Sequence, residues 1–204
     1  FPQLRFAFLE GGVGWACGLY NDLAGHWEKH NVRFVGNFDP ANLDEALLQK
    51  LFREYGGDYG ERIAALGKDR SQLLWGSREE PSDLDEWSRC GIERREDIRD
   101  LFVPNFYFGC EGDDRLTALA FNPKLNAMGA RLKVLYSSDI GHWDLPDMRD
   151  AAKEAYELRD DGLISEEDFR EFVFVNPVRA KTDLNPEFFK GTRVENDVER
   201  LLRH

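Results

Sequence analysis

Three short apolar runs, each closed by an acidic residue beside glycine or serine, constrain this chain more than any other feature. Leu4-Arg5-Phe6-Ala7-Phe8-Leu9 ends in Glu10-Gly11-Gly12, and Asn105-Phe106-Tyr107-Phe108-Gly109-Cys110 ends in Glu111-Gly112-Asp113-Asp114. Leu132-Lys133-Val134-Leu135-Tyr136 ends in Ser137-Ser138-Asp139. A strand with one wet face alternates apolar and polar residues, whereas a near-continuous apolar run belongs to a strand covered on both faces. The three runs are separated by segments of helical periodicity, so the pattern predicts an α/β fold with parallel strands and helices on the sheet.

The helical segments are read from spacing. Over residues 13–30, Trp15, Leu19, Leu23 and Trp27 recur four apart and define one helix face. Short helices are expected over 43–55 and 59–66. The stretch 77–100 is dense in Glu, Arg and Asp and predicts a solvated helical excursion. Further helices are expected over 115–121, from Pro146 to Leu158, and over 166–174 with Ser165 as N-cap. Residues 125–128 read as a turn and 176–203 as short helices and connections. No repeat or low-complexity segment is present.

Composition narrows the function classes. Apolar residues make up 42% of the 204, charged residues 32% and aromatic residues 13%, enough for a folded core. The longest apolar runs fall far short of the roughly 20 residues of a membrane-spanning helix. With 27 basic and 39 acidic residues the net charge is -12, a field that repels nucleic acid and anionic lipid. Three cysteines, Cys17, Cys90 and Cys110, form no even framework and read as core residues in a cytoplasmic protein. The chain opens Phe1-Pro2-Gln3-Leu4 without methionine and enters a strand at once, so further strands are expected upstream. Three parallel strands alone leave two unpaired edges.

In parallel sheets, ligands bind at the carboxyl edge of the strands, where Glu10, Glu111 and Asp139 are expected to converge. The residues at these ends resemble a family. Phe1-Pro2-x-Leu4 with Glu10-Gly11-Gly12 is similar to the "F-P-x-L…H-G-G" segment of the metal-dependent amidohydrolases related to aminocarboxymuconate-semialdehyde decarboxylase. Leu135-Tyr136-Ser137-Ser138-Asp139-Ile140-Gly141-His142 resembles that family's last-strand motif. Gly162-Leu163-Ile164, Phe169 and Asn176-Pro177-Val178-Arg179-Ala180 resemble its closing segment. The resemblance covers nearly the whole chain apart from a helical insertion at 40–104. It implies that residues 1–204 are the C-terminal portion of one TIM-barrel domain, about three βα units of a (β/α)8 barrel. It further implies a divalent metal, zinc first and manganese or iron as alternatives, with Asp139 as the ligand from the eighth strand. The family's His-x-His pair is absent from this chain. Glu10 stands where many members have histidine before Gly-Gly, a departure that points away from decarboxylase acid-base chemistry.

Each candidate has a plainer role beside the chemical one. Asp139 suits a metal ligand and base, and equally a turn or N-cap aspartate. Glu10 suits a general acid-base or a partner of a metal ligand, and equally a solvated turn; Glu111 shares this ambiguity. His142 could reach substrate or orient water, or pack in a loop. Trp15 and Trp143 could line an apolar pocket, although core packing is the default for both. His26 and His30 lie four apart as in zinc proteases, but no glutamate follows the first, and they read as an exposed helix face. Asp161-Gly162 mimics part of a calcium loop, but Arg159 occupies an early ligand position and excludes it. The expected function is metal-dependent hydrolysis of a small organic acid, amide or lactone. The alternatives are non-oxidative decarboxylation or a non-enzymatic acidic partner-binding domain. The expected partner is a small-molecule substrate, with no nucleic acid and no membrane, and homo-oligomers are compatible with the sequence.

Overall fold

The computed structural model describes residues 4–31, 33–39, 42–65, 85–143 and 145–203. The fold is mixed α/β: a three-stranded parallel sheet with many helices. The chain divides into two compact units, residues 1–24 with 96–204, and residues 25–95.

In the first unit the strands are β1 (Phe6–Phe8), β2 (Phe106–Glu111) and β3 (Lys133–Ser137), ordered β1-β2-β3. All pairs are parallel, with Phe6 opposite Phe106, Phe8 opposite Phe108, and Glu111 opposite Ser137. Aromatic pairs fix the first register: the Phe8 and Phe108 rings stack at 5.8 Å, and Phe6 meets Phe106 at 5.6 Å. A one-residue slip would separate both pairs and turn each side chain to the opposite face.

The central strand behaves as its apolar run predicts, with Tyr107, Phe108 and Cys110 all buried. The first strand does not. Phe6 and Phe8 remain 48% and 41% exposed, because β1 is an edge strand. On the other edge, Asn176 covers β3 by donating its side-chain amide to the Val134 carbonyl at 3.1 Å.

Helix α1 (Gly14–His30) begins in this unit and buries Ala16, Cys17, Tyr20 and Ala24. Sequence spacing favours the neighbouring stripe of Trp15, Leu19, Leu23 and Trp27, but Trp15 and Leu19 are exposed. Small residues win because they allow close approach, which also lets the Tyr20 hydroxyl donate to the Ala127 carbonyl at 3.0 Å. Around the sheet, Phe108, Cys110 and Val134 pack with Val13, Leu158 and Phe172 in one core.

Helix α4 (Arg95–Asn105) leads into β2, and helices α2 and α3 belong to the second unit. The expected excursion at 77–100 is therefore corrected for its last part. Ile98 is buried and Phe102, four residues on, packs against the core, an apolar pair hidden among charges. Residues 77–84 of that stretch lie outside the described residues.

Downstream come α5 (Thr117–Ala120), α6 (Ala151–Asp160), α7 (Glu166–Arg170), α8 (Asn176–Thr182) and α9 (Glu195–Leu202). Helix α6 ends in a left-handed Gly162 with φ 71°. The Leu163 and Gly162 amides return to the carbonyls of Leu158 and Arg159, at 3.0 and 2.9 Å. Asp161-Gly162 is thus a helix C-terminal stop and not an ion loop. Ser165 caps α7 as its sequence predicts, in a capping box with Asp168. A π-helical turn, Glu171–Val175, joins α7 to α8 and places Phe172 fully in the core.

In the second unit, α2 (Glu45–Tyr55) is capped by Asp44, whose carboxylate accepts the Leu47 amide at 2.8 Å. Helix α3 (Asp58–Ala65) follows after Gly56 and Gly57. At 85–90, the Asp85 carboxylate accepts the Trp87 and Ser88 amides, each at 3.1 Å, which fixes a turn around the buried Trp87. No helix among the described residues is long and apolar enough to cross a membrane.

Candidate functional site at the carboxyl edge of the sheet

Parallel pairing puts the ends of β1, β2 and β3 on one edge. Beyond β1 the chain continues through Leu9 and Glu10, and the Gly12 amide donates to the Gly109 carbonyl at 3.1 Å, holding the turn against β2. Gly12 has φ +62°, and a Cβ there would stand 2.8 Å from an Asp114 carboxylate oxygen. Glycine is required at this point by both backbone and space.

Glu10, Asp139 and His142 come together here, each offering one ligand atom, all within 4.8 Å of one another. His142 Nδ1 lies 3.3 Å from Asp139 Oδ2. The His142 amide donates to the Asp139 carbonyl at 3.0 Å, closing the turn that sets the two side chains on one side. Glu10 and Asp139 both hold left-handed backbone, with φ 60° and 51°; among the described residues only Met128 is a further non-glycine case. Such a conformation costs a residue with a Cβ about 1 kcal/mol or more. Strain of this kind concentrates at functional sites, where a side chain must be aimed and not merely accommodated.

Beside this cluster lies a small cleft of about 120 Å³ lined by Glu111, Gly112, Asp113, Ser137, Ser138, Asp139, Leu145 and Glu154. Asp139 belongs to both the cluster and the cleft. Glu154 reaches the cleft from α6 because Gly112 has no side chain: a Cβ there would stand 3.0 Å from the Ala155 amide nitrogen. The Tyr136 hydroxyl donates to the Ala151 carbonyl at 2.7 Å and ties the start of α6 to β3. Burial, reinforced by the nearby Glu154 charge, pushes that phenol above its ordinary pKa. The cleft has acidic residues and serines and no basic side chain, so it favours a cation over an anion.

The remaining sequence candidates fall around this mouth. Glu111 lines the cleft. Trp15 packs edge-on against Phe8 and Phe108, at 5.3 and 5.7 Å, and is not among the cleft residues. Trp143 is 91% exposed and does not line it either. Asp113, Ser137, Ser138 and Glu154 line the cleft without having been singled out from sequence. The first three adjoin strand ends and were within reach of that rule, whereas Glu154 carries no local signal. Cys17 and Cys110 are buried free thiols, and burial pushes them up to about 11 and about 12, as inert core residues, whereas Cys90 is exposed and departs from the core placement expected of it.

Phe1 and Pro2, half of the first family-like motif, lie outside the described residues. No protein-family model matches the chain, and no curated protein or solved structure gives a significant match to it.

Proposed function

We propose that this chain supplies the last βα units of a (β/α)8 barrel hydrolase of the amidohydrolase type, acting at the Glu10–Asp139–His142 mouth. The carrying observation is the convergence of those three ligand atoms within 4.8 Å at the carboxyl edge of parallel strands. The strand order supports the barrel reading. It runs β1-β2-β3 without the reversal that marks the ligand crevice of a doubly wound sheet.

The donor set fits a divalent cation. Two carboxylates and an imidazole suit zinc, manganese or iron(II), and three protein ligands leave positions open for water and substrate. A cation held there supplies Lewis-acid activation of water at neutral pH. Asp139, fixed at the end of β3, would hold the cation and serve as the base for water. His142, paired with Asp139, is oriented by that carboxylate. Glu10 completes the set from the end of β1.

The acidic lining selects among substrates. Glu111, Asp113 and Glu154 repel a free carboxylate, so a neutral amide or lactone is favoured over an organic acid. A cleft of about 120 Å³ limits what enters to a small group. The test is metal content together with hydrolysis of a panel of small amides and lactones in the presence of zinc or manganese. Asp139→Asn is expected to lose the metal equivalent held at the mouth and about 10²-fold or more in kcat/KM. Unchanged metal content and activity in that variant would overturn the assignment.

A further inference from the structure

The second unit contains another convergence of ligating groups. His26 and His30 lie one turn apart on α1, and their rings stack at 4.1 Å with an interplanar angle of 12°. Glu86, 60 positions from His26 in sequence, contacts His26 Nε2 directly through its carboxylate. The same carboxylate lies 3.9 Å from His30 Nδ1. One ligand atom from each of the three residues falls within 4.8 Å of the others.

The backbone that carries Glu86 is held in place by its neighbours. Asp85 caps the turn through the Trp87 and Ser88 amides, and the Ile92 amide donates to the Trp87 carbonyl at 3.3 Å. Trp87 is buried and packs against the His26 ring at 5.8 Å. Both sides of the cluster are therefore built on fixed backbone, a helix turn on one side and a capped turn on the other.

We propose that His26, His30 and Glu86 form a binding site for a zinc-class divalent ion, built from none of the residues of the strand mouth. Two imidazoles and one carboxylate are a donor set that zinc accepts, with a fourth position left to water. Tetrahedral zinc with bonds of about 2.0–2.1 Å keeps its ligand atoms roughly 3.3 Å apart. The 3.9 Å from His30 Nδ1 to Glu86 Oε1, and the direct contact of His26 Nε2 with the other oxygen, Oε2, lie on either side of that spacing.

The site is a clip and not a second reaction centre. In a zinc protease helix, a glutamate follows the first histidine and acts as base. Here Trp27 occupies that place, and Glu28 is engaged with Arg95 at 3.0 Å. An ion on these ligands joins α1 to the turn at 85–90 and closes the long intervening segment, where a cross-link gains most from chain entropy.

The test is competitive titration of the 204-residue chain with zinc chloride against a chromophoric chelator, followed by thermal unfolding with and without zinc. It is run in the wild type, His26→Asn/His30→Asn, Glu86→Gln and Asp139→Asn. The expected result is a zinc equivalent that survives Asp139→Asn, weakens at least tenfold in Glu86→Gln and disappears in the double histidine variant. Zinc should raise Tm in the wild type and in Asp139→Asn but not in the double variant. Identical zinc binding in the wild type and the double variant would overturn the proposal. So would the absence of any zinc equivalent in Asp139→Asn. Loss of metal confined to Asp139→Asn would instead speak only for the strand mouth.

Discussion

At the scale of single residues, Asp168 shows how a side chain serves two ends. Its carboxylate accepts the Ser165 amide in the capping box and pairs with Arg131 at 2.5 Å, while Glu171 meets the same guanidinium at 3.1 Å. Burial alone would raise the Asp168 carboxyl, but Arg131 and Ser165 outweigh it and hold the group below its usual 3.8. A depressed carboxyl stabilises the fold above its unfolded pKa, and that contribution is lost as pH falls through the folded value. Asp168→Asn is therefore expected to lower Tm more at about pH 7 than at about pH 2, because the contribution fades as pH falls toward and through the folded value. Equal losses at both pH values would show that packing, not charge, is responsible. The Ser165 cap was legible because a serine stands directly before the helical run, whereas the part of Asp168 in the capping box came from the structure. Arg131 was not, since nothing local announces a partner 37 positions away.

At the scale of elements, the helical stretch through α7, the π turn and α8 anchors the β3 edge. The buried Asn176 amide donates to Val134, while Phe172 meets Tyr136 edge-on at 5.7 Å. Asn176→Ala leaves a buried strand carbonyl without its donor and is expected to cost about 1–3 kcal/mol, read as a lower urea midpoint with unchanged m-value. A midpoint within error of the wild type would mean that water replaces the amide. Periodicity located the helix at 166–174 but could not show the π turn, because Phe172-Val173-Phe174-Val175 is a continuous apolar run that fits either helical period. The α1 face was misread for a different reason. Hydrophobicity favoured Trp15 and Leu19, but contact distance favoured Ala16, Cys17 and Ala24, and only a packed neighbour reveals that choice.

For the molecule as a whole, the net charge of -12 sets a self-repulsion that every local ion pair must work against. Raising salt from about 0.01 M to about 0.1 M shortens the screening length from roughly 30 Å to roughly 10 Å. Tm at neutral pH is expected to rise over that range, by thermal unfolding in sodium chloride. A fall would mean that exposed pairs such as Arg115–Asp161 contribute more than the net charge removes.

The sequence by itself determined the local order of this chain: three apolar runs as strands, their parallel sense, and the acidic residues at their ends. Those features are legible because period and turn chemistry act over a few neighbouring residues. Which strand would stay exposed, which face of α1 would turn inward, and which acids would meet at the mouth were decided by the tertiary structure. Glu10 and His142 belong to distant parts of the chain, and strand register together with two left-handed turns brings them to Asp139. His26 and His30 read as a wet helix face for the same reason: the carboxylate that turns them into a cluster comes from a remote turn, and remote partners leave no periodicity behind.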